Sequence, residues 1–315
     1  MNWESTLKKI TDETAHHAAL HWVDKPINMQ LINNQINCVY RFESKNKGYY
    51  LRITHEQIRP YKELRAALDF QNHLLLNAAP VCQAIKSRNG VFIEIVTQDE
   101  LEFSTQICLE VPGNIIDFND SHKEKYIKWG AALATLHRAA QSYAPNTHHF
   151  RTWEDLWKET ANYLPQEHQE IKALHQQISI KFNQLTPSIS NFGLTHGDHR
   201  PGNVLFDGNQ VHLIDFDEPV YHWFMADIAK PFLDLCDRPY ENWKQLFDWY
   251  IEGYRTILPI NEAELEQINW FTQMKSLDIY LWCKNNWKEP TAPGGKPRKL
   301  WLNELRQMAL TPLFK

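Results

Sequence analysis

Glycine is scarce in this chain, 11 residues in 315, and none stands in a GxGxxG run, so a dinucleotide-binding turn is excluded. The single Gly-Lys step, Gly295–Lys296, is followed by Pro297 where a Walker A loop needs Ser or Thr. No GxSxG occurs, which removes a nucleophile elbow. Cysteine is sparse and odd in number: Cys38, Cys82, Cys108, Cys236 and Cys283 are far apart and form no CxxC pair. That pattern excludes a disulfide framework and a structural zinc site, and reads as buried thiols in a reducing compartment. Positive charge is not in excess, with a net charge of −5, so a broad nucleic-acid face is not expected. No apolar run approaches the roughly 20 residues of a membrane helix. The opening MNWESTLKKITDETAHHAALHW carries charges where a secretory signal needs an apolar core. The expectation is a cytoplasmic protein with no membrane and no nucleic-acid partner; nothing in the sequence speaks to oligomeric state.

What is present is a globular composition: 43% hydrophobic and 23% charged residues, with 12 Trp, 12 Tyr and 15 Phe. The length suits roughly two domains. After a helical opening (3–19) come strand-like runs, INCVYRFES and GYYLRIT, joined by the turn KNKG. RPYKELRAALDFQNHLLLNAA then sets Leu64, Leu68, Phe70 and Leu75 at helical spacing before Pro80, and GVFIEIVT and LEFSTQICLE are two more strand candidates. The order ββαββ predicts a small antiparallel sheet with one helix against it. Past VPGN at 111–114 the pattern is mostly helical: 125–140, 153–185, 240–256, 261–285 and 298–310. The exception is a hairpin, NVLFDGNQVHLIDFD, with a DGNQ turn. We expect an N-terminal lobe over 1–110, a hinge near 108–113, and a C-terminal lobe over 111–315.

The densest cluster of chemistry is THGDHRPGNVLF at 195–206, followed by VHLIDFDE. A dinuclear metal pattern HxHxDH would need histidine at 194, where Leu194 stands. Phosphoryl transfer needs a carboxylate for the acceptor hydroxyl, an oxygen ligand and second carboxylate for Mg²⁺, and a cation for the nucleotide phosphates. Asp198 and Asn203 have the spacing D-x-x-x-x-N, and Asp215 follows twelve residues after Asn203. If Gly208 and Asn209 form the hairpin turn, Asn203 falls opposite Ile214, one residue from Asp215. A turn at Asp207–Gly208 breaks that register.

HGDHRPGN…LIDFD resembles the signature of the aminoglycoside phosphotransferase family, part of the protein-kinase-like superfamily. The resemblance extends over most of the chain. INCVYRF looks like the first strands and YYLRI like the strand carrying the phosphate-binding cation. WGAALATLHRAAQSYAP is similar to the helix after the hinge, and DEPVYHWFMADIAKPF, with Asp227, to the segment after the metal aspartate. It implies an α+β, two-lobed kinase-like fold: a small antiparallel-sheet nucleotide-binding lobe and a larger, mostly helical lobe for catalysis and acceptor. It also implies ATP and Mg²⁺ as cofactors and a small hydroxyl-bearing molecule as acceptor. The resemblance is to bacterial phosphotransferases of undefined substrate, in a group that includes homoserine, choline and stress-response kinases.

On that resemblance Asp198 is the catalytic base, and Asn203 and Asp215 are the metal ligands. Arg52 takes the place of the phosphate-binding cation; Arg binds phosphate oxygens as a fork. Arg200, two residues after the base, is the candidate for stabilising the transferred phosphoryl group. Asn37, Cys108 and Glu110 are placed at the nucleotide. Two features depart from the pattern. Ala67 stands where the helix glutamate partner of the cation belongs, leaving Glu63 as the available substitute, and QLINNQINC, the phosphate-covering loop, has no glycine. Asn33, Asn34 and Asn37 tolerate unusual φ better than most residues. Asp217 is left between substrate contact and supporting role. His196 is expected to organise its loop and His137 to sit in the core, with Tyr280, Trp282, Trp287 and Asp278 as candidates for an acceptor pocket. The preferred reading is an ATP-Mg²⁺ phosphotransferase acting on a small-molecule hydroxyl. The alternatives are a stress-response-type Ser/Thr protein kinase and a non-catalytic nucleotide-binding module.

Overall fold

The computed structural model describes residues 6–34, 37–119, 122–145, 150–235, 240–292 and 295–314. Cys236, and Gln35 and Ile36 of the expected phosphate-covering loop, lie outside the described residues. The chain forms two compact units. The first is Met1–Asn114 with Tyr143–Phe150 and Leu205–Asp217; the second is Ile115–Ser142, Arg151–Val204 and Glu218–Lys315.

The first unit is built on an antiparallel sheet. Its strands are β1 (Ile27–Asn34), β2 (Cys38–Ser44), β3 (Lys47–His55), β4 (Ala84–Ile85), β5 (Glu94–Gln98) and β6 (Leu101–Leu109), in the order β1-β2-β3-β6, with β4 and β5 both on the far edge of β6. Strict alternation in β2 buries Cys38, Tyr40 and Phe42 on one face. They meet Leu51 and Ile53 of β3, Phe103 and Ile107 of β6, and Ala15, Ala18 and Ala19 of helix α1 (Asp12–Ala19). Thr11 caps that helix, its hydroxyl accepting from the Thr14 N–H at 3.1 Å. The ββαββ expectation omitted β1. This edge strand is exposed along almost its whole length and broken by register shifts, so it carries no alternating apolar signal.

Helix α2 (Tyr61–Leu76) buries Leu64 and Leu68, one turn apart, against Ile93. The chain after it is tied to the later hairpin strand β11 (Val211–Leu213): the Leu213 N–H donates to the Pro80 carbonyl at 2.7 Å, and the Cys82 N–H to the Leu213 carbonyl at 3.0 Å. The hairpin, β10 (Val204–Phe206) and β11, turns at Gly208 and Asn209. The Asp207 N–H closes it on the Gln210 carbonyl, and the Asp207 carboxylate accepts from the Asn209 and Gln210 amides at 2.7 and 2.6 Å. This is the turn that the sequence register of Asn203 against Ile214 requires.

β7 (Asn114–Ile115) marks the passage from the first unit to the second, which is mainly helical. Its helices are α3 (Lys123–Ala140), α4 (Trp153–Ala161), α5 (Gln169–Gln184), α6 (Phe224–Ala229), α7 (Tyr240–Arg255), α8 (Glu262–Leu265), α9 (Ile268–Asn286) and α10 (Arg298–Leu310). The expected helix over 153–185 is two, separated by a 3₁₀ turn at Leu164–Gln166, where Pro165 removes a backbone donor. A small sheet of β8 (Arg151–Thr152), β9 (Phe192–Thr195) and β12 (Val220–Trp223) lies among them, with β12 in the middle. Helices α3 and α7 meet backbone to backbone. A Cβ on Gly130 would stand 1.9 Å from the Tyr250 carbonyl oxygen, and one on Gly253 would stand 1.9 Å from that of Ile127.

Candidate functional site

The HGDHRPGN loop leaves β9 and is shaped by Gly197. Its φ is +79°, and a Cβ there would lie 1.9 Å from the Glu218 carbonyl oxygen, so both backbone and space demand glycine. The loop is held from below by Asp227 of α6, which accepts the His196 N–H at 2.6 Å and the Gly197 N–H at 3.1 Å. His137 of α3, fully buried, adds its Nε2 to Asp227 at 3.2 Å, shares a 2.9 Å bond with the Tyr254 hydroxyl and stacks on Phe224. Burial would raise the Asp227 carboxyl, but the hydrogen bond from His137 opposes it and the carboxyl is held well below its usual range. His196 Nδ1 accepts the Asp198 N–H at 3.3 Å, so this histidine organises the loop. Asp227 was noticed in the sequence only as part of a resembling segment.

Asp198 is two-sidedly held. Its Oδ1 accepts from the Lys230 ammonium, which also donates to the Gly197 carbonyl at 3.0 Å, and its Oδ2 accepts from Asn203 Nδ2 at 2.9 Å. Burial would raise the Asp198 carboxyl, but Lys230 outweighs it and holds the group at about 2. Asn203 Nδ2 also donates to the Asp198 carbonyl at 2.9 Å, so both bonds use the amide nitrogen and neither uses the amide oxygen. Arg200 is half exposed, with Nε 3.3 Å from Asp198 Oδ2. No local pattern singles out Lys230, which returns to the loop thirty residues later, from the segment following α6.

His199, the second histidine of the loop, is fully buried. Its Nε2 accepts the Trp129 indole N–H at 2.9 Å, and burial depresses its pKa to about 3. It is therefore a neutral, buried packing group.

In the first unit, Arg52 on β3 forks onto two carboxylates: one guanidinium nitrogen donates to Asp215 Oδ1 at 2.8 Å and the other to Asp217 Oδ2. Asn37 donates to Asp217 at 3.3 Å and accepts from the Thr54 hydroxyl at 2.9 Å. Asp215 has a φ of +69°, a left-handed conformation uncommon for a residue with a side chain. Glu63 stands in the first turn of α2. Cys108 lies near the end of β6, where Gln71 Nε2 approaches its sulfur at 3.8 Å and that of Cys82 at 3.1 Å. Glu110 is clamped by Arg41 at 2.7 and 2.8 Å, and its N–H is taken by the Gly48 carbonyl at 2.9 Å. Gly48 makes room for that carboxylate, since a Cβ would fall 1.7 Å from Glu110 Oε2.

No group of three His, Cys, Asp or Glu side chains that would cage a metal exists among the described residues. A single Asn oxygen and a single Asp carboxylate suit Mg²⁺, an ion commonly bound by one or two protein ligands together with substrate phosphates and water. Each of these donor types, taken by itself, is one that Mg²⁺ accepts. Of the acceptor-pocket candidates, Asp278 lines a cavity in the second unit described below. Tyr280 turns its hydroxyl to Glu167 at 3.3 Å, and Trp287 donates to the Thr291 carbonyl at 2.9 Å.

Comparison with known proteins gives the following. A sequence model described as the phosphotransferase enzyme family matches residues 29–260. Amicoumacin kinase of Bacillus subtilis (strain 168) is 27% identical over 201 residues, 61% of this chain and 59% of that kinase, so the match spans less than two thirds of the relative's length. Among solved structures, amicoumacin kinase hAmiN in complex with AMP-PNP, Ca²⁺ and Ami superposes with a TM-score of 0.87 at 21% identity, over 100% of this chain and 98% of the other. A microcompartment-associated aminopropanol kinase superposes with a TM-score of 0.78 at 17% identity, over 95% of each chain. These superpositions bear out the α+β kinase-like fold.

Proposed function

Since the chain belongs to the phosphotransferase enzyme family, we propose that it is an ATP- and Mg²⁺-dependent phosphotransferase acting on a hydroxyl of a small molecule. The observation that carries this reading is the Asp198–Asn203–Lys230 cluster. The proposed base and the proposed metal ligand are bonded to each other, and a buried ammonium holds the base ionised. Asp198 then orients the acceptor hydroxyl and receives its proton as the oxygen bonds to the γ-phosphorus and the bond from that phosphorus to the departing ADP oxygen breaks. Positioning matters more here than basicity, which suits a carboxylate held low. Asn203 and Asp215 would hold Mg²⁺, which when bound neutralises charge on the nucleotide phosphates. Arg52 forks onto phosphate oxygens, and Arg200, exposed beside the base, answers the charge on the transferred group. Glu63, Asn37, Cys108 and Glu110 are assigned to support of the nucleotide. The relatives also favour a small acceptor: the structural neighbours are kinases of amicoumacin and of aminopropanol, one of them bound to a nucleotide analogue and a divalent ion. Use of ATP suits a cytoplasmic setting. No helix among the described residues is long and apolar enough to cross a membrane.

The test is ADP release, in a coupled assay, over amino alcohols, hydroxy amino acids, sugars, aminoglycosides and a model Ser/Thr protein substrate. The expected result is turnover of a small hydroxyl compound that falls at least about a hundredfold in Asp198→Asn. Turnover that survives this substitution removes Asp198 from the base role, and transfer to the protein substrate alone makes the chain a protein kinase.

A further inference from the structure

Within the second unit, a cavity of about 60 Å³ is walled by Trp157, Thr160, Lys230, Phe271, Lys275 and Asp278, among others. One wall is thus the lysine that grips Asp198. A single water needs roughly 10–15 Å³, so the space is large enough to receive a small head group. Lys275 and Asp278 are one turn apart on α9, with Nζ 3.0 Å from Oδ2. The Thr160 hydroxyl donates to the other carboxylate oxygen, Oδ1, at 2.9 Å. Each of the two charged side chains is about one third exposed (33%), so an incoming molecule can reach both.

On an open helix surface such a pair would contribute only a few tenths of a kcal/mol. Against a cavity wall its desolvation offsets much of that gain, so stability does not explain it. The remaining valences do. The ammonium has three donors and gives one to Asp278; the carboxylate oxygens have one partner each and retain lone pairs. Burial opposes the charge of Lys275, but Asp278, Glu218 and Asp198 outweigh it and raise its pKa. Burial lowers the pKa of Lys230, and the ammonium of Lys275 adds to that effect. The cavity wall thus carries two ammonium groups, of which Lys230 is already held by Asp198, and two carboxylates, of which Asp227 is buried and Asp278 is reachable. A bound carboxylate answers the ammonium of Lys275, and a bound ammonium answers Asp278.

Resting on the phosphotransferase reading above, we propose that Lys275 and Asp278 form the head-group subsite of the acceptor and select a zwitterion, a hydroxyl-bearing α-amino acid. Its carboxylate faces Lys275 and its ammonium faces Asp278. The α-amino acid carries both charges on one carbon, which suits two wall charges already in contact. A purely cationic, multi-ring acceptor meets like charge at the two lysines.

The test compares four acceptors with the full-length enzyme, ATP and Mg²⁺: L-homoserine, 3-aminopropanol (no carboxylate), 3-hydroxypropionate (no amine) and kanamycin. Wild type should favour L-homoserine at least about tenfold in kcat/KM over each of the others, as expected for one charge-assisted contact. In Lys275→Met the loss on L-homoserine should exceed the loss on 3-aminopropanol at least tenfold. In Asp278→Asn it should exceed the loss on 3-hydroxypropionate by the same factor. Equal losses on all acceptors mark the pair as structural and overturn the proposal, as does kanamycin or 3-aminopropanol matching L-homoserine. A second readout separates this proposal from the activity itself. L-homoserine should raise the Tm of wild type but not of Lys275→Met or Asp278→Asn, whether or not turnover is seen. A Tm unmoved by L-homoserine overturns the head-group site while leaving phosphotransfer to another acceptor standing.

Discussion

Lys230→Met tests the electrostatics of the proposed base directly. In the structure the Asp198 carboxyl sits at about 2 because Lys230 outweighs the cost of burial. With the ammonium gone, the largest lowering influence is lost while Arg200 stays beside the carboxylate, and the group should rise from about 2 toward its ordinary 3.8. That is a rise of at most about two pH units, or about 2.5 kcal/mol at 1.36 kcal/mol per unit. The sign follows. A carboxylate whose folded pKa is depressed contributes stability that is present above its unfolded pKa and is lost as pH falls through the folded value. In the variant this contribution disappears at neutral pH, so the Tm falls. The Asp198 side chain is 28% exposed, and solvent screening reduces the loss to about 1–2 kcal/mol. The assay is a ¹³C NMR titration of aspartate carboxyls, with Asp198 assigned by its disappearance in Asp198→Asn; it needs no acceptor. Lys230→Arg should keep the titration low. An Asp198 that still titrates near 2 in Lys230→Met would refute the reasoning, because Lys230 would not be the group that holds it down.

Gly197→Ala places a side chain at φ +79° and against the Glu218 carbonyl, and should destabilise by about 2–4 kcal/mol in thermal or urea unfolding. Arg52→Met should raise the calorimetric Kd for ATP-Mg²⁺ about tenfold or more, with Arg52→Lys intermediate because the fork is lost and the charge kept; an unchanged Kd removes Arg52 from the phosphates. His199 and His222 are buried and depressed to about 3 by burial, so the stability they contribute is present above pH 6.5 and lost as pH falls toward 3. Together they should cost roughly 4 kcal/mol between pH 7 and pH 5, visible as a falling urea midpoint. A midpoint flat across that range contradicts their neutral burial.

The hairpin was legible because its signals are local: Asp207, Gly208 and Asn209 specify their own turn, and the turn sets the register. The loop of Asp198 and Asn203 was legible for the same reason, its residues lying five apart. β1 was not, because an exposed edge strand with bulges has no period to read. Lys230, Asp227 and Lys275 meet the loop or the cavity only after the chain has folded back across 30 to 80 residues, whereas Asp278 is expected at an acceptor pocket from the sequence. The fork of Arg52 onto Asp215 and Asp217, more than 160 residues along, is a pairing that sequence spacing does not reveal.

The glycine crossing of α3 and α7 bears on whether the catalytic loop can be moved to another protein. α3 carries Trp129 and His137, and α7 carries Tyr250 and Tyr254; through His199 and Asp227 these four side chains set the height of the HGDHRPGN loop. Their spacing depends on two missing methyl groups, at Gly130 and Gly253. The octet is thus not a portable cassette. Grafted onto a scaffold with alanine at the crossing, it would keep every motif residue and still lose its alignment, because the dimension that matters is encoded some seventy residues upstream and fifty downstream of the motif.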